Sequence, residues 1–120
     1  MSRRALIPGD RICRREQLID GGRGVCFDIV HNDGIWPAFV VRYRGTARAY
    51  KNRCPHQGHP LDWNEAIFFD AAARFLMCAS HLARYDAASG ACAGGPCGGA
   101  PLTRVPVEEH AGFIVVGSEE

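Results

Sequence analysis

No run in this 120-residue chain approaches the roughly 20 apolar residues that a membrane-spanning helix needs. At the N-terminus, Arg3-Arg4 is followed only by the three-residue apolar run Ala5-Leu6-Ile7. That run is too short for the apolar core of a secretory signal, and the long stretch a twin-arginine export signal also carries is missing. Strong charge of either sign is absent too. The formal net charge is +1, so no global field points to nucleic acid or to a membrane surface. Arg3-Arg4 and Arg14-Arg15 read as solvated surface. Sustained helical periodicity, internal repeats and low-complexity linkers are also lacking, so residues 1–120 read as one domain. The expectation is a cytoplasmic protein whose six cysteines are thiols or metal ligands, not structural disulfides.

Apolar residues make up 47% and charged residues 22%, the balance of a soluble globular domain. A chain this long can bury about two-thirds of its unfolded surface and needs no covalent staple to fold. Short alternating runs dominate. Val25, Phe27 and Ile29 alternate with Cys26, Asp28 and Val30 as a strand, and Asn32-Asp33-Gly34 is a turn signal. Phe39, Val41 and Tyr43 share one face of a second strand. Arg44-Gly45 turns into a third strand from Thr46 to Asn52. Further strands are expected at Phe75-Leu76-Met77, Leu102 to Val107 and Phe113 to Val116, the last two separated by Glu109-His110-Ala111-Gly112. Between Glu65 and Ala73 the pattern allows either a helical turn or the end of a hairpin. Gly90 to Gly99 is too rich in glycine for a regular element and suits a backbone in close packing.

Chemistry concentrates in two short pairs, Cys54-Pro55-His56 and Cys78-Ala79-Ser80-His81. Each offers one thiolate and one imidazole from a loop-like stretch. A zinc ribbon uses Cys-x2-Cys pairs, so the tight Cys-x-His spacing fits zinc poorly. It fits a [2Fe–2S] cluster with two cysteines on one iron and two histidines on the other. A structural zinc site is the alternative, and visible absorption separates the two.

The stretches Cys54-Pro55-His56-Gln57-Gly58-His59-Pro60-Leu61 and Cys78-Ala79-Ser80-His81, followed by Gly95-Pro96-Cys97, resemble the Rieske [2Fe–2S] family over about residues 50–102. The resemblance implies an all-β fold, an antiparallel β-sandwich with cluster-binding loops at one end. It also implies one [2Fe–2S] cluster per chain, with Cys54 and Cys78 on the inner iron and His56 and His81 on the outer, solvent-near iron. Neutral imidazoles in place of two thiolates make electron uptake easier than in a four-cysteine ferredoxin.

Departures from the high-potential members of the family are informative. His59 and Ser80 stand where those proteins carry a disulfide, so that bridge cannot form. Ala83 replaces a serine that hydrogen-bonds a bridging sulfide. Tyr85 matches a tyrosine that can donate to a ligating sulfur, although a half-buried aromatic with its hydroxyl in water is the simpler alternative. With donors missing, the expected potential lies in the lower part of the Rieske span, from roughly −150 mV to roughly +100 mV. The gap between His56 and Cys78 exceeds the family's usual length, and the excess is expected in Glu65 to Arg74. Trp63 is expected to pack as core beneath the first loop.

Of the remaining candidates, His59 reads as an exposed loop histidine or as a contact tuning the cluster. His31 and His110 sit in expected turns. Cys92 and Cys97 are read as buried thiols, with a disulfide or redox switch as the alternative, and Cys13 and Cys26 as structural. A Rieske oxygenase also needs a mononuclear iron held by two histidines and a carboxylate, for which no sequence is left. The resemblance therefore implies an electron carrier, not an enzyme: a ferredoxin-like protein passing one electron between a reductase and an oxygenase or other acceptor. A redox-sensing accessory subunit built on the same cluster is the second reading.

Overall fold

The computed structural model describes residues 5–31, 34–53, 61–62, 66–70, 72–78, 83–94 and 100–117. Among these the chain is all β apart from one 3-10 turn. The strands are β1 (Ala5–Leu6), β2 (Arg11–Arg14), β3 (Val25–His31), β4 (Gly34–Tyr43), β5 (Thr46–Lys51), β6 (Phe75–Met77), β7 (Arg84–Asp86), β8 (Cys92–Gly94), β9 (Arg104–Val105), β10 (Val107–His110) and β11 (Phe113–Val116). They form a five-stranded sheet in the order β1-β3-β4-β5-β9 and two three-stranded sheets, β10-β11-β2 and β6-β7-β8. All pairings are antiparallel except β1 with β3.

The five-stranded sheet is central because its middle strand is apolar on both faces. Ala38, Phe39, Val40 and Val41 are all fully buried. A side-chain period of two then divides them between two cores. Ala38 and Val40 join Phe27, Ile29 and Ala49 against Cys13, Ile114 and Val116 of the β10-β11-β2 sheet. Phe39 and Val41 face the other way, into a cluster with Tyr50, Leu61, Phe68, Leu76, Cys78 and Tyr85. Phe39 stacks on Phe68 with ring centroids 3.9 Å apart. This second core includes Leu76 of β6 and Tyr85 of β7, and Cys78, the first residue of the second expected ligand pair, directly follows β6.

The β4–β5 connection is a two-residue turn with positive φ at both Arg44 (51°) and Gly45 (80°). That geometry matches the twist of a hairpin and suits glycine at its second position. Arginine in the left-handed region is held there by Asp20, whose carboxylate accepts both the Arg44 N–H and the Gly45 N–H at 2.8 Å. The expected strands at 25–30, 39–43 and 46–52 are therefore present in register.

Three expectations change. The run from Leu102 to Val107 is two strands in two sheets, β9 on β5 and β10 on β11. Pro106 lies between them, and its missing N–H cannot extend either ladder. Gly90 to Gly99 is not wholly irregular, since β8 pairs with β7 at the margin of its sheet. Edge pairing needs only backbone, which glycine supplies. Close packing is nonetheless real: a Cβ on Gly90 would lie 2.8 Å from the Tyr50 ring. Between 66 and 76 the hairpin alternative holds, with Phe69 bridged to Leu76 and the Asp70 N–H bonded to the Phe75 carbonyl at 2.9 Å.

Tyr50 ties the Gly90 segment to the central sheet. Its hydroxyl donates to the Ala87 carbonyl at 2.8 Å. Burial pushes its pKa up to about 12, against the lowering effect of Arg48 and Arg104 and with a smaller upward push from Asp86. Burial likewise raises Cys13 to about 11, opposed by Arg42. Both groups are neutral when folded and ionise more readily when unfolded. Their contribution is complete below the ordinary values of 9.0 and 10.0 and is lost as pH climbs toward 11 and 12. The urea midpoint is therefore expected to be flat from neutrality to about pH 9 and to fall steeply above it. A midpoint independent of pH through that window contradicts the assignment.

Candidate metal centre

Asn52 organises the root of the first ligand loop. It is a buried polar residue, 8% exposed, immediately after β5. Its backbone N–H bonds to the Pro37 carbonyl of β4 at 2.8 Å, continuing the ladder one step past the strand. Its side-chain oxygen accepts the Leu61 N–H at 2.8 Å, and its amide donates to an Asp62 carboxylate oxygen at 3.1 Å. The other Asp62 oxygen accepts the Ala66 N–H at 3.1 Å. One side chain thus joins the two ends of residues 54–60. Residue patterning missed this role, because Asn52 reads there only as the end of a strand. The signal available was a polar residue two positions before Cys54.

The second loop is closed by backbone. The Cys78 N–H donates to the Ala83 carbonyl at 2.9 Å, bracketing residues 79–82. Cys78, Ala83 and Leu61 are all fully buried, and all belong to the same core. The third stretch, between Gly94 and Ala100, springs from that core too, since Leu102 is a member and Cys92 packs against it. Residues flanking all three stretches therefore belong to, or pack on, one apolar core.

Of the four expected ligands, Cys78 is a buried, unoxidised cysteine at the end of β6. Cys54, His56 and His81 lie outside the described residues, as do His59, Ser80, Trp63 and Cys97. A thiol with no solvent access is costly to ionise unless a cation compensates it, so the Cys78 environment suits a metal-bound thiolate. The donor set also fits the group: two soft thiolates and two imidazoles on loops rooted side by side.

Tyr85 is fully buried on β7 beside Cys78 in the core, which removes the reading with its hydroxyl in water. Ala83 is buried as well and offers no hydroxyl. Cys13 and Cys26 form no disulfide, as expected of structural thiols, and His110 is exposed at the end of β10. The thiol reading of Cys92 needs correction, because that residue is disulfide-bonded. Its partner lies outside the described residues. Compartment-based reasoning alone had favoured the reduced form.

This arrangement is the one found in Rieske domains. The profile of the Rieske [2Fe-2S] domain matches residues 12–109, and the chain belongs to that family. The fold is similar to the ferredoxin of carbazole 1,9a-dioxygenase from Nocardioides aromaticivorans IC177, at 26% identity and a TM-score of 0.72, covering 92% of this chain and 97% of that one. It is also similar to the Sphingomonas yanoikuyae B1 ferredoxin, at 22% identity and a TM-score of 0.70, covering 92% and 98%. The quaternary ammonium Rieske monooxygenase CntA shares the fold at 18% identity and a TM-score of 0.67, where 89% of this chain spans 30% of that one. No curated protein matches the chain by sequence. No helix among the described residues is long and apolar enough to cross a membrane.

Replacing Asn52 by alanine is expected to cost about 1–3 kcal/mol, because the buried Leu61 N–H is left without an acceptor. The same change should speed iron release to a chelator, followed by bleaching of visible absorption. Unchanged stability together with unchanged release would show that the loop is held by something else.

Proposed function

We propose that this protein is a one-electron carrier of the Rieske ferredoxin type, working between a reductase and an oxygenase or other acceptor protein. The observation that carries the proposal is that residues flanking the three stretches share one buried core containing Cys78, in a chain whose fold is similar to that of a ferredoxin over nearly its whole length. The ferredoxin of carbazole 1,9a-dioxygenase serves an oxygenase, and that relationship supports the same class of acceptor here.

Cys54 and Cys78 would hold the inner iron, and His56 and His81 the outer iron. A [2Fe–2S] cluster bound there supplies storage of a single electron at a potential raised by its two imidazole ligands. The chain's own part is to position and shield. Leu61, Ala83 and Leu76 exclude water from the thiolate side. Asn52 and the Cys78–Ala83 bond fix the loop roots, so little reorganisation accompanies a change of charge. Tyr85, buried in that core, is the residue we assign as a donor toward the sulfur side.

The test is an EPR spectrum of the dithionite-reduced protein with a protein-film voltammogram. A low average g-value and a midpoint between roughly −150 mV and roughly +100 mV are expected. A silent spectrum removes the ligand assignment, and a midpoint above roughly +200 mV removes the low-potential reading. Reduction by a flavoprotein reductase, followed by reoxidation on adding an acceptor, tests the carrier role.

The Cys92 disulfide favours a second reading, a redox-sensing accessory subunit in the same cytoplasmic setting. A sensor changes its affinity for its partner with redox state and a carrier does so far less, so pull-downs with oxidised and reduced protein separate them.

A further inference from the structure

The end of the β3–β4 hairpin beside the first ligand loop carries a surface that the fold does not consume. Val30 and Ile35 are cross-strand partners there, and they are 40% and 68% exposed. On the other face of the same end lies Trp36, paired with Ile29. Two cations sit over its ring, Lys51 with its ammonium 4.1 Å from the centroid and Arg53 with its guanidinium 5.4 Å away. Lys51 and Arg104 also line one small cavity together with Val30. The two faces of this hairpin corner therefore present apolar side chains on one side and an aromatic with its cations on the other, and Val30 with Lys51 and Arg104 links them along one cavity. The corner adjoins the cluster loops: Arg53 is the residue before Cys54, and the adjacent Asn52 bonds to Pro37, two positions from Ile35.

We propose that this corner is the docking surface for a redox-partner protein that presents acidic side chains around an apolar spot. The inference rests on the electron-carrier reading and adds to it a face and a partner chemistry. Aromatic and arginine residues with apolar neighbours are the composition of protein-binding hot spots. The cations select a partner of opposite sign and steer its approach, which governs the rate of transient electron-transfer encounters. Nucleic acid is a poor occupant, since only three cations gather here and exposed isoleucine and valine add nothing to phosphate binding.

The probe is a flavodoxin, an acidic redox protein, used as its hydroquinone so that one electron passes to the oxidised cluster and a flavin semiquinone remains. Lys51→Glu with Arg53→Glu should slow this transfer about tenfold or more at low ionic strength. The difference should shrink to about twofold or less at roughly 0.5 M salt, where exposed charges are screened. Calorimetric affinity for oxidised flavodoxin should fall in parallel. Ile35→Ser, which leaves every charge in place, should weaken binding at all salt concentrations. Arg23→Glu is the control, an exposed charge reversal near Arg42 at the opposite end of β4. The visible and EPR spectra of each variant report whether the cluster site is intact, which matters because Arg53 adjoins Cys54. Equal effects of the control and the double reversal, or no effect of either the reversal or Ile35→Ser, overturn the docking surface. Flavodoxin that binds with the expected salt and mutation dependence but passes no electron supports the surface and overturns the carrier reading instead.

Discussion

Replacing Cys78 by serine is expected to leave a protein without visible colour and with its iron content reduced to near zero. Cys78 is fully buried at the end of β6, and its own N–H closes the second loop on Ala83. Serine preserves that backbone bond and nearly the same volume. It does not supply a thiolate, and its hydroxyl is far harder to ionise in an apolar site. The substitution thus separates ligation from folding. Cys13→Ser and Cys26→Ser are the matched comparisons, since Cys13 lies in the core against the β10-β11-β2 sheet and Cys26 on β3. Iron analysis and absorption spectra of the three variants decide the matter. A coloured Cys78→Ser protein, or a colourless Cys26→Ser protein, refutes the assignment.

The second large effect is expected from Phe68→Ala. Phe68 is fully buried and lies nearly parallel to Phe39, at 3.9 Å between centroids and 11° between planes. Its carbonyl accepts the Met77 N–H at 2.9 Å, so the residue joins the hairpin leading to Cys78 onto the central sheet. Truncating a buried phenylalanine costs about 3–5 kcal/mol through lost transfer energy and residual cavity. That is a large share of the about 5–15 kcal/mol available to a domain. Phe68→Leu fills most of the space and should cost well under half as much. Urea unfolding followed by circular dichroism measures both. Iron loss from Phe68→Ala should precede global unfolding, because the cavity opens in the core that contains Cys78 and not in the one against the β10-β11-β2 sheet. A loss below about 1 kcal/mol would mean that the aromatic stack is not what holds this layer.

Much of this structure is legible in residue order because the physics there is local. The alternation of Phe27 and Ile29 with Cys26, Asp28 and Val30, the Arg44-Gly45 turn and the Ala111-Gly112 turn each depend on a few adjacent residues. Tyr85 shows where such reasoning stops. A tyrosine in a three-residue segment between Arg84 and Asp86 carries almost no periodic signal, yet β7 buries it completely by pairing with β6 and β8. The same limit explains β8 and the division at Pro106. In both places the strand exists because a distant segment offers a ladder. The disulfide at Cys92 lies beyond residue order for a related reason, since compartment says nothing about which sulfurs the fold brings together.

The residue types and spacing of the proposed ligands, Cys54-x-His56 and Cys78-x2-His81, are properties of the linear chain, and they sufficed to name the family. Local hydrogen-bonding and side-chain periodicity likewise specified an all-β domain. Folding alone decided that Leu61, Cys78, Ala83 and Leu102, at or near the ends of the three stretches, share one core with Phe68 and Leu76. It also decided that Asn52 clasps the first loop, and that Trp36, Lys51 and Arg53 gather beside it. Those juxtapositions join residues far apart along the chain, and only burial of a shared apolar floor brings them together.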